Sequence, residues 1–215
     1  MEALEGAASV LKQNGLSAEA RPLDMSESDS IYHLSESLPP VDILINVAGT
    51  NIRKQFEQYT KDEYAHVMQT NLHGIVELTQ QVGAKMVSRG AGGKIVMIGS
   101  LMSLLGLPYL TVYAMTKSAI AGLTRALAAE WGKHGIQVNC IAPGFILTDL
   151  NRTMWQGPVM KKWLEGAQAN TQMGTPEDIA PLAAFLSGPG SNYITGQVIA
   201  VDGGYTTTAN WPFQP

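Results

Sequence analysis

Residues 94–141 read KIVMIGSLMSLLGLPYLTVYAMTKSAIAGLTRALAAEWGKHGIQVNCI, and this stretch decides the fold. Its two ends, Lys94–Ile98 and Ile136–Ile141, are short apolar runs typical of strands buried on both faces of a parallel sheet. Between them, Tyr113–Trp131 is rich in alanine and long enough for about five turns of helix. A strand, a helix and a second strand in this order predict a right-handed βαβ unit.

The same alternation continues on both sides of this unit. Further helices are predicted over 1–14, 26–38, 61–88 and 176–186, and further strands over 17–23, 41–45 and 197–201. Strands alternating with helices of these lengths predict a doubly wound parallel sheet of the Rossmann type. We expect one domain over 1–215, with a loop region at 146–175 and an uncharged tail at 206–215. The tail carries Trp211 and Phe213, which we expect to pack on a partner.

Composition excludes several classes of protein. The net charge is −4, which gives no electrostatic footprint for nucleic acid or an anionic membrane. Only 15% of the residues are charged, against about 25% in an average domain, so we expect part of the surface to be covered by a second copy of the chain. The alanine and glycine residues of helix 113–131, together with helix 61–88, suggest a homodimer or homotetramer.

Cysteine usage and the N-terminus bear on location. Cys140 is the only cysteine, and no Cys/His group has zinc spacing, which predicts a reducing compartment and no metal. His66 and His73 share a helical face but have no neighbouring carboxylate or cysteine, so a metal site there is not expected. The acidic start and the lack of about 18 consecutive apolar residues argue against a signal peptide or a membrane span. We expect a cytoplasmic protein.

Tyr113 and Lys117 are candidate catalytic residues. They lie four positions apart, which places both side chains on one helical face with the ammonium near the phenol. Tyrosine titrates near pH 10, and a nearby cation favours the phenolate that proton exchange near neutrality requires. The spacing alone is weak evidence, since an exposed surface pair would show it too.

Other polar residues converge on this pair. Ser100 follows the strand that ends at Ile98, and Asn71 lies within the preceding helix. In parallel sheets, ligands bind beyond the carboxyl ends of the strands, where Asn46, Ser100 and Pro143-Gly144 fall.

Several motifs in sequence order now resemble the short-chain dehydrogenase/reductase family, from about residue 17 to residue 205. They are Asn46-Val47-Ala48-Gly49, Thr70-Asn71-Leu72, Ile98-Gly99-Ser100, Tyr113-Ala114-Met115-Thr116-Lys117, Val138-Asn139-Cys140-Ile141-Ala142-Pro143-Gly144 and Val201-Asp202-Gly203-Gly204. The resemblance implies NAD(P)-dependent interconversion of a secondary alcohol and its ketone.

The resemblance also implies roles for individual residues. Tyr113 would be the general acid/base, and Ser100 would hold the substrate oxygen. Lys117 would bind the nicotinamide ribose and lower the tyrosine pKa, while Asn71 would hold a water that relays protons. The residues implied in cofactor binding are Asp24, Met25, Asn46, Ala48, Gly49, Tyr113, Lys117, Pro143, Gly144, Ile146 and Thr148. For Asp24, helix capping is an equally good interpretation.

The sequence departs from the family in one important respect. The family's opening strand and its Thr-Gly-x-x-x-Gly-x-Gly loop are missing, and the glycines at 90–93 precede a strand instead of opening a helix. The fold is therefore expected to lack the first βαβ unit, which leaves strand 17–23 without its usual neighbours. Without a helix start for the pyrophosphate, we expect weak or no NAD(P) binding by this chain.

Substrate class is less specified. The stretches Gly49–Lys54 and Ser100–Ser103 look most like gluconate and deoxygluconate dehydrogenases, where Arg53 could meet a sugar-acid carboxylate, although a solvated surface arginine would look the same. With Ser100 and Tyr113, Arg53 would then contact the substrate. One alternative is a 3-oxoacyl thioester reductase, whose docking face would have to use Arg125 and Lys133. Another is a non-catalytic, truncated remnant that dimerises.

Overall fold

The computed structural model describes residues 2–148, 151–155 and 157–208, and in it four strands form one parallel sheet. In the order β1-β2-β3-β4 they are Ile43–Asn46, Gly93–Ile98, Ile136–Pro143 and Val198–Val201. All three pairings are parallel, and Val96 of β2 lies between Ile45 of β1 and Asn139 of β3. The predicted parallel α/β sheet is confirmed.

The helices follow the predicted order with shifted ends. They are α1 Glu2–Gln13, α2 Ser28–Ser37, α3 Lys61–Met68, α4 Gly74–Arg89, α5 Thr111–Trp131, α6 Arg152–Trp155, α7 Pro158–Ala167 and α8 Pro176–Ser187. The predicted helix 61–88 is a continuous helical run in which the wider π-turn Gln69–His73 joins α3 to α4. Thr60 and Glu63 form a capping box at its start, which explains why it begins there.

Helices cover both faces of the sheet. Alternate residues of β2 point to opposite faces, so Ile95 and Met97 join a core with α2, α4 and α5, whereas Val96 packs with Leu186 of α8. These β2 side chains are almost completely buried. Burying side chains of this size stabilises the fold by about 1.5 to 3 kcal/mol each. The sheet is therefore held from both sides, as a doubly wound fold requires.

The prediction of a strand at 17–23 is wrong. These residues form no regular secondary structure, and within the described residues β1 is paired with β2 alone. A strand is stabilised by a neighbouring strand and by burial of one face, and this segment has neither, since Leu23 is 36% exposed. The outer edge of the sheet is correspondingly open, with Ile43 and Ile45 more than 40% exposed.

Two further expectations concern the C-terminal tail and membrane-spanning helices. Trp211 and Phe213 lie outside the described residues, as does most of the tail 206–215. Within the described ranges, no helix combines the length and the apolar character needed to cross a membrane.

Candidate active site

A cleft of about 560 Å³ lies at the carboxyl ends of the strands, where parallel sheets bind ligands. Its walls come from the loops after β1, β2 and β3 and from the first turns of α5. The predicted site residues that line it are Gly49, Arg53, Ser100, Tyr113, Lys117, Pro143, Gly144, Ile146 and Thr148. Residues more than 90 positions apart in sequence thus share one cavity.

Lys117 is the most constrained charged side chain in the cleft. It is 3% exposed, and its Nζ donates a hydrogen bond to the Ile98 carbonyl oxygen at 2.8 Å. The same nitrogen lies 5.6 Å from the centroid of the Tyr113 ring. Burial lowers the pKa of Lys117 to about 8, because the ammonium loses most of its hydration.

Tyr113 lines the cleft beside Ser100 and Lys117. Burial raises the pKa of Tyr113, and the Ser100 hydroxyl and the Arg53 guanidinium offset only part of that rise. The Lys117 ammonium lies over the Tyr113 ring and is bonded to the Ile98 carbonyl oxygen. Its lowering of the phenol pKa stays a prediction, but the net direction is upward. The phenol is therefore protonated at neutral pH and able to donate a hydrogen bond.

Ser100 is fixed by the turn that follows β2. Its backbone N–H donates to Ser103 Oγ at 3.2 Å, and its own Oγ accepts from the Met102 N–H at 3.2 Å. Ser103 in turn donates to the Lys117 carbonyl oxygen at 2.8 Å. These bonds tie the Ser100 turn to α5 and place the hydroxyl beside Tyr113.

Asn71 is fully buried in the π-turn between α3 and α4. Its Oδ1 accepts from the Thr50 N–H at 2.7 Å, and its Nδ2 donates to the Thr50 carbonyl oxygen at 2.7 Å. Nδ2 also lies 3.3 Å from Thr116 Oγ1. The side-chain amide therefore anchors the loop after β1, and the role of Asn71 in holding a relay water stays a prediction. π-turns often occur at functional sites, which agrees with this position.

Two glycines shape the walls of the cleft. A Cβ on Gly49 would lie 3.5 Å from Lys117 Nζ and 3.6 Å from Asn71 Oδ1, so its absence leaves a polar hollow over these groups. A Cβ on Gly144 would lie 2.5 Å from the Asp202 Cα, so only glycine lets this loop approach the end of β4. The hollow beside Tyr113 and Lys117 is where the cofactor-binding residues expected from the sequence meet.

Four residues expected to bind cofactor are not brought to the cleft. Asp24 is exposed, and its Oδ1 accepts from the Ser26 N–H and hydroxyl, which closes the turn before α2. Met25 is buried in the core. Asn46 points toward α4, where its Nδ2 donates to Thr79 Oγ1 at 3.0 Å. Ala48 packs on the same core.

Sequence reasoning missed several cleft residues. Thr50, Leu107, Leu110, Phe145 and Asn151 all line the cavity. They lie in irregular loops, where no period indicates which side chains point inward. Their proximity to Arg53, the Ser100 turn and Pro143-Gly144 was the only available signal.

The other candidates have structural roles or no metal-binding arrangement. Phe145 packs edge-on against Trp155, Trp163 and Tyr205, with ring centroids 4.9 to 5.3 Å apart. Trp155 also lines the cleft. Cys140 is buried in the core, and burial raises the pKa of its thiol. Within the described residues, no group of three or more His, Cys, Asp or Glu side chains is arranged to hold a metal ion.

Comparisons with known proteins agree with this geometry. A family model described as enoyl-(acyl carrier protein) reductase matches residues 2–206. The chain is 33% identical over 211 residues to gluconate 5-dehydrogenase of Gluconobacter oxydans (strain 621H), covering 96% of this chain and 82% of that protein. It is 36% identical over 208 residues to a 3-oxoacyl-[acyl-carrier-protein] reductase of Chlamydia trachomatis, covering 94% and 83%.

A solved structure is similar over nearly the whole chain. It is a gluconate 5-dehydrogenase from Burkholderia cenocepacia in complex with NADP and tartrate. The TM-score is 0.88 at 31% identity, covering 95% of this chain and 81% of that one.

Proposed function

The chain belongs to the short-chain dehydrogenase/reductase family of NAD(P)-dependent oxidoreductases, and on that premise we propose that it interconverts a hydroxyl and a ketone in a sugar acid. The observation that carries this proposal is the position of Arg53. It lines the same cleft as Ser100 and Tyr113, and its charge acts on the Tyr113 phenol.

Arg53 has donors available for an acid. The four ion pairs among the described residues use Arg21, Lys54, Lys85 and Arg89, so Arg53 takes part in none of them. Its guanidinium contacts Met154 Sδ, a weak acceptor. A substrate carboxylate would be a much stronger acceptor, because guanidinium binds carboxylate through two parallel hydrogen bonds. The tartrate in the similar structure is itself a hydroxy acid.

The chain's own residues then act as follows. Ser100 donates a hydrogen bond to the substrate oxygen and orients it toward Tyr113. The protonated phenol of Tyr113 donates its proton to that oxygen during reduction, and a phenolate accepts it during oxidation. Lys117 holds the ribose side of the hollow under Gly49, while Asn71 fixes the Thr50 backbone beside it. A bound nicotinamide dinucleotide supplies or accepts the hydride.

Weak binding of both NAD and NADP is part of the proposal. The residues present fit the nicotinamide and its ribose, but the sequence contains no glycine-rich loop of the family type for the pyrophosphate. The single-domain organisation over 1–215, with 146–175 near the substrate, is proposed on the same basis. A cytoplasmic location stays a prediction.

Self-association is also proposed, through the surface made by α3, the π-turn, α4 and α5. Tyr64, Val76 and Met115 lie on these elements with 37% to 44% of their surface exposed, and Gly122 has open space above it. Exposed apolar side chains on neighbouring helices favour a second copy as partner. Light scattering at micromolar concentration should give at least a dimer, and a stable monomer would contradict this.

A second candidate substrate is a 3-oxoacyl thioester. Met102, Leu107 and Leu110 form an apolar wall that an acyl chain could contact. The basic docking face expected for an acidic carrier protein would rely on Arg125 and Lys133, both exposed.

The deciding experiment measures oxidation of gluconate, of sorbitol as its uncharged counterpart, and reduction of a 3-oxoacyl thioester, each with high concentrations of NAD(H) and NADP(H). We expect gluconate to be preferred to sorbitol, and Arg53→Gln to remove that preference. A preference for the thioester would favour the second candidate. No turnover of any substrate class would favour a non-catalytic protein that dimerises.

A further inference from the structure

The backbone on both sides of Arg53 is tied to other parts of the chain. Before it, the Ile52 carbonyl oxygen accepts a hydrogen bond from the Tyr59 hydroxyl. After it, the Lys54 N–H donates to the Tyr109 carbonyl oxygen at 3.1 Å. The second bond joins the loop after β1 to the loop before α5, and both loops line the cleft.

Lys54 is held a second time through its side chain. Its Nζ lies 2.8 Å from both carboxylate oxygens of Glu63, and both side chains are 29% exposed. Glu63 is itself fixed at the start of α3, where its Oε2 accepts from the Thr60 N–H at 2.8 Å. The bond from Lys54 holds the pKa of the Glu63 carboxyl below its usual range, so this group is a carboxylate at neutral pH.

Tyr109 adds an independent observation. Its φ is +65°, the one positive value among the described non-glycine residues, and a side chain disfavours this conformation. Such a backbone persists where its surroundings hold it, and strained residues of this kind cluster at binding sites. The bond from Lys54 is one contact that holds this turn, which carries Leu107 and Leu110 into the cleft.

We propose that these contacts, Ile52–Tyr59, Lys54–Tyr109 and Lys54–Glu63, form a bracket that fixes the Arg53 backbone relative to Tyr113. Lys54 and Glu63 are then positioning residues, and the bracket determines the preference for a substrate that carries a carboxylate over a neutral alcohol. This inference rests on the proposed function, in which Arg53 receives that carboxylate. Fixing the backbone matters because binding a carboxylate through two parallel bonds tolerates little displacement.

The bracket can be weakened without removing the helix cap. Glu63→Gln loses the ion pair with Lys54, but glutamine also serves at this position of a capping box. Neither Lys54 nor Glu63 belongs to the two core clusters found in the described part of the chain, so we expect Glu63→Gln to fold. Thr60→Ala is the matched control, since it removes the cap bond to the Glu63 N–H and leaves the ion pair. Lys54→Arg should retain wild-type behaviour, because arginine keeps the positive charge that pairs with Glu63.

The experiment compares kcat and KM for gluconate and sorbitol. For Glu63→Gln we expect the KM for gluconate to rise about tenfold, with kcat within about twofold and the sorbitol constants unchanged. Thr60→Ala should lower the melting temperature and leave the ratio of the two substrates unchanged. An unchanged gluconate KM in Glu63→Gln would overturn the bracket.

A measurement without turnover separates this inference from the function on which it rests. Amide hydrogen exchange at Lys54 should be faster in Glu63→Gln than in the wild type, because the Lys54–Tyr109 bond opens more often. If Arg53→Gln leaves the preference for gluconate intact, the proposed function fails. If Arg53→Gln removes that preference while Glu63→Gln changes neither exchange nor KM, only the bracket fails.

Discussion

Lys117 Nζ is bonded to the Ile98 carbonyl oxygen at 2.8 Å, which ties the ammonium of α5 to the end of β2. The bond explains how a side chain that is 3% exposed stays in place beside the Tyr113 ring. The sequence predicted both that the ammonium lies near the phenol and that it lowers the pKa of the phenol, and these are separate effects. The ammonium lies over the Tyr113 ring, and burial of the tyrosine raises the pKa of the phenol.

The buried ammonium predicts a distinctive dependence of stability on pH. The pKa of Lys117 is about 8 in the folded chain and about 10.4 when unfolded, so between these values the unfolded chain binds more protons. The contribution of Lys117 to the free energy of unfolding therefore rises with pH across this window. Relative to Lys117→Met, the wild type should gain about 2 kcal/mol between pH 7 and pH 9.5.

Urea unfolding of both proteins at the two pH values measures this gain. Subtracting the variant largely removes the opposing effects of Tyr113 and Cys140, whose pKa values burial raises. A difference that stays constant with pH would show that the ammonium is not desolvated in the folded protein.

Tyr113 should carry the proton in any reaction that this cleft catalyses. Tyr113→Phe keeps the ring beside Lys117 and removes only the hydroxyl, so kcat should fall by at least ~10²-fold while the melting temperature changes little. Tyr193→Phe is the control, because Tyr193 is fully exposed and lies outside the cleft. Retention of activity in Tyr113→Phe would remove this residue from the mechanism.

Gly144 should resist even the smallest side chain. A Cβ there would approach the Asp202 Cα to 2.5 Å, and backbone cannot move aside as a flexible side chain can. Gly144→Ala should therefore lower the free energy of unfolding by about 1 to 3 kcal/mol, as overpacking usually does. Gly166→Ala, in α7 with nothing within 4 Å, should be neutral or stabilising by up to about 1 kcal/mol. Equal effects in chemical unfolding would contradict the close approach.

The elements that sequence predicted correctly were those with local signals. The buried runs of β2 and β3 and the alanine-rich α5 show their period within a few residues, and the parallel sheet follows from them. The segment 17–23 failed because a strand depends on neighbours that no local pattern reveals. Lys54 and Tyr109 were missed for the same reason, since they are 55 positions apart and meet only through loops.

The same distinction applies to the candidate site. Motif spacing indicated Ser100, Tyr113 and Lys117, which share the cleft. It could not indicate protonation, because the pKa of Tyr113 depends on burial by distant residues. The hydrogen bonds of the Asn71 amide to Thr50 could not be predicted from the sequence either, because they form only when the π-turn packs beside the loop after β1.

The cleft also predicts how the 215-residue chain binds dinucleotides. Gly49, Tyr113 and Lys117 can hold a ribose and a nicotinamide, whereas a pyrophosphate is best held by backbone N–H groups at a glycine-rich helix start. Losing two or three such bonds at ~1.5 to 3 kcal/mol each weakens binding by ~3 to 9 kcal/mol. We therefore expect millimolar affinity or weaker for NAD and NADP.

Nicotinamide mononucleotide should bind about as well as either dinucleotide, because it keeps the half that the cleft contacts. Calorimetry with the three compounds tests this, with Lys117→Met as the variant that should abolish binding of all of them. A micromolar dissociation constant for NADP, at least tenfold tighter than for the mononucleotide, would show that other residues of this chain or of a second copy hold the pyrophosphate.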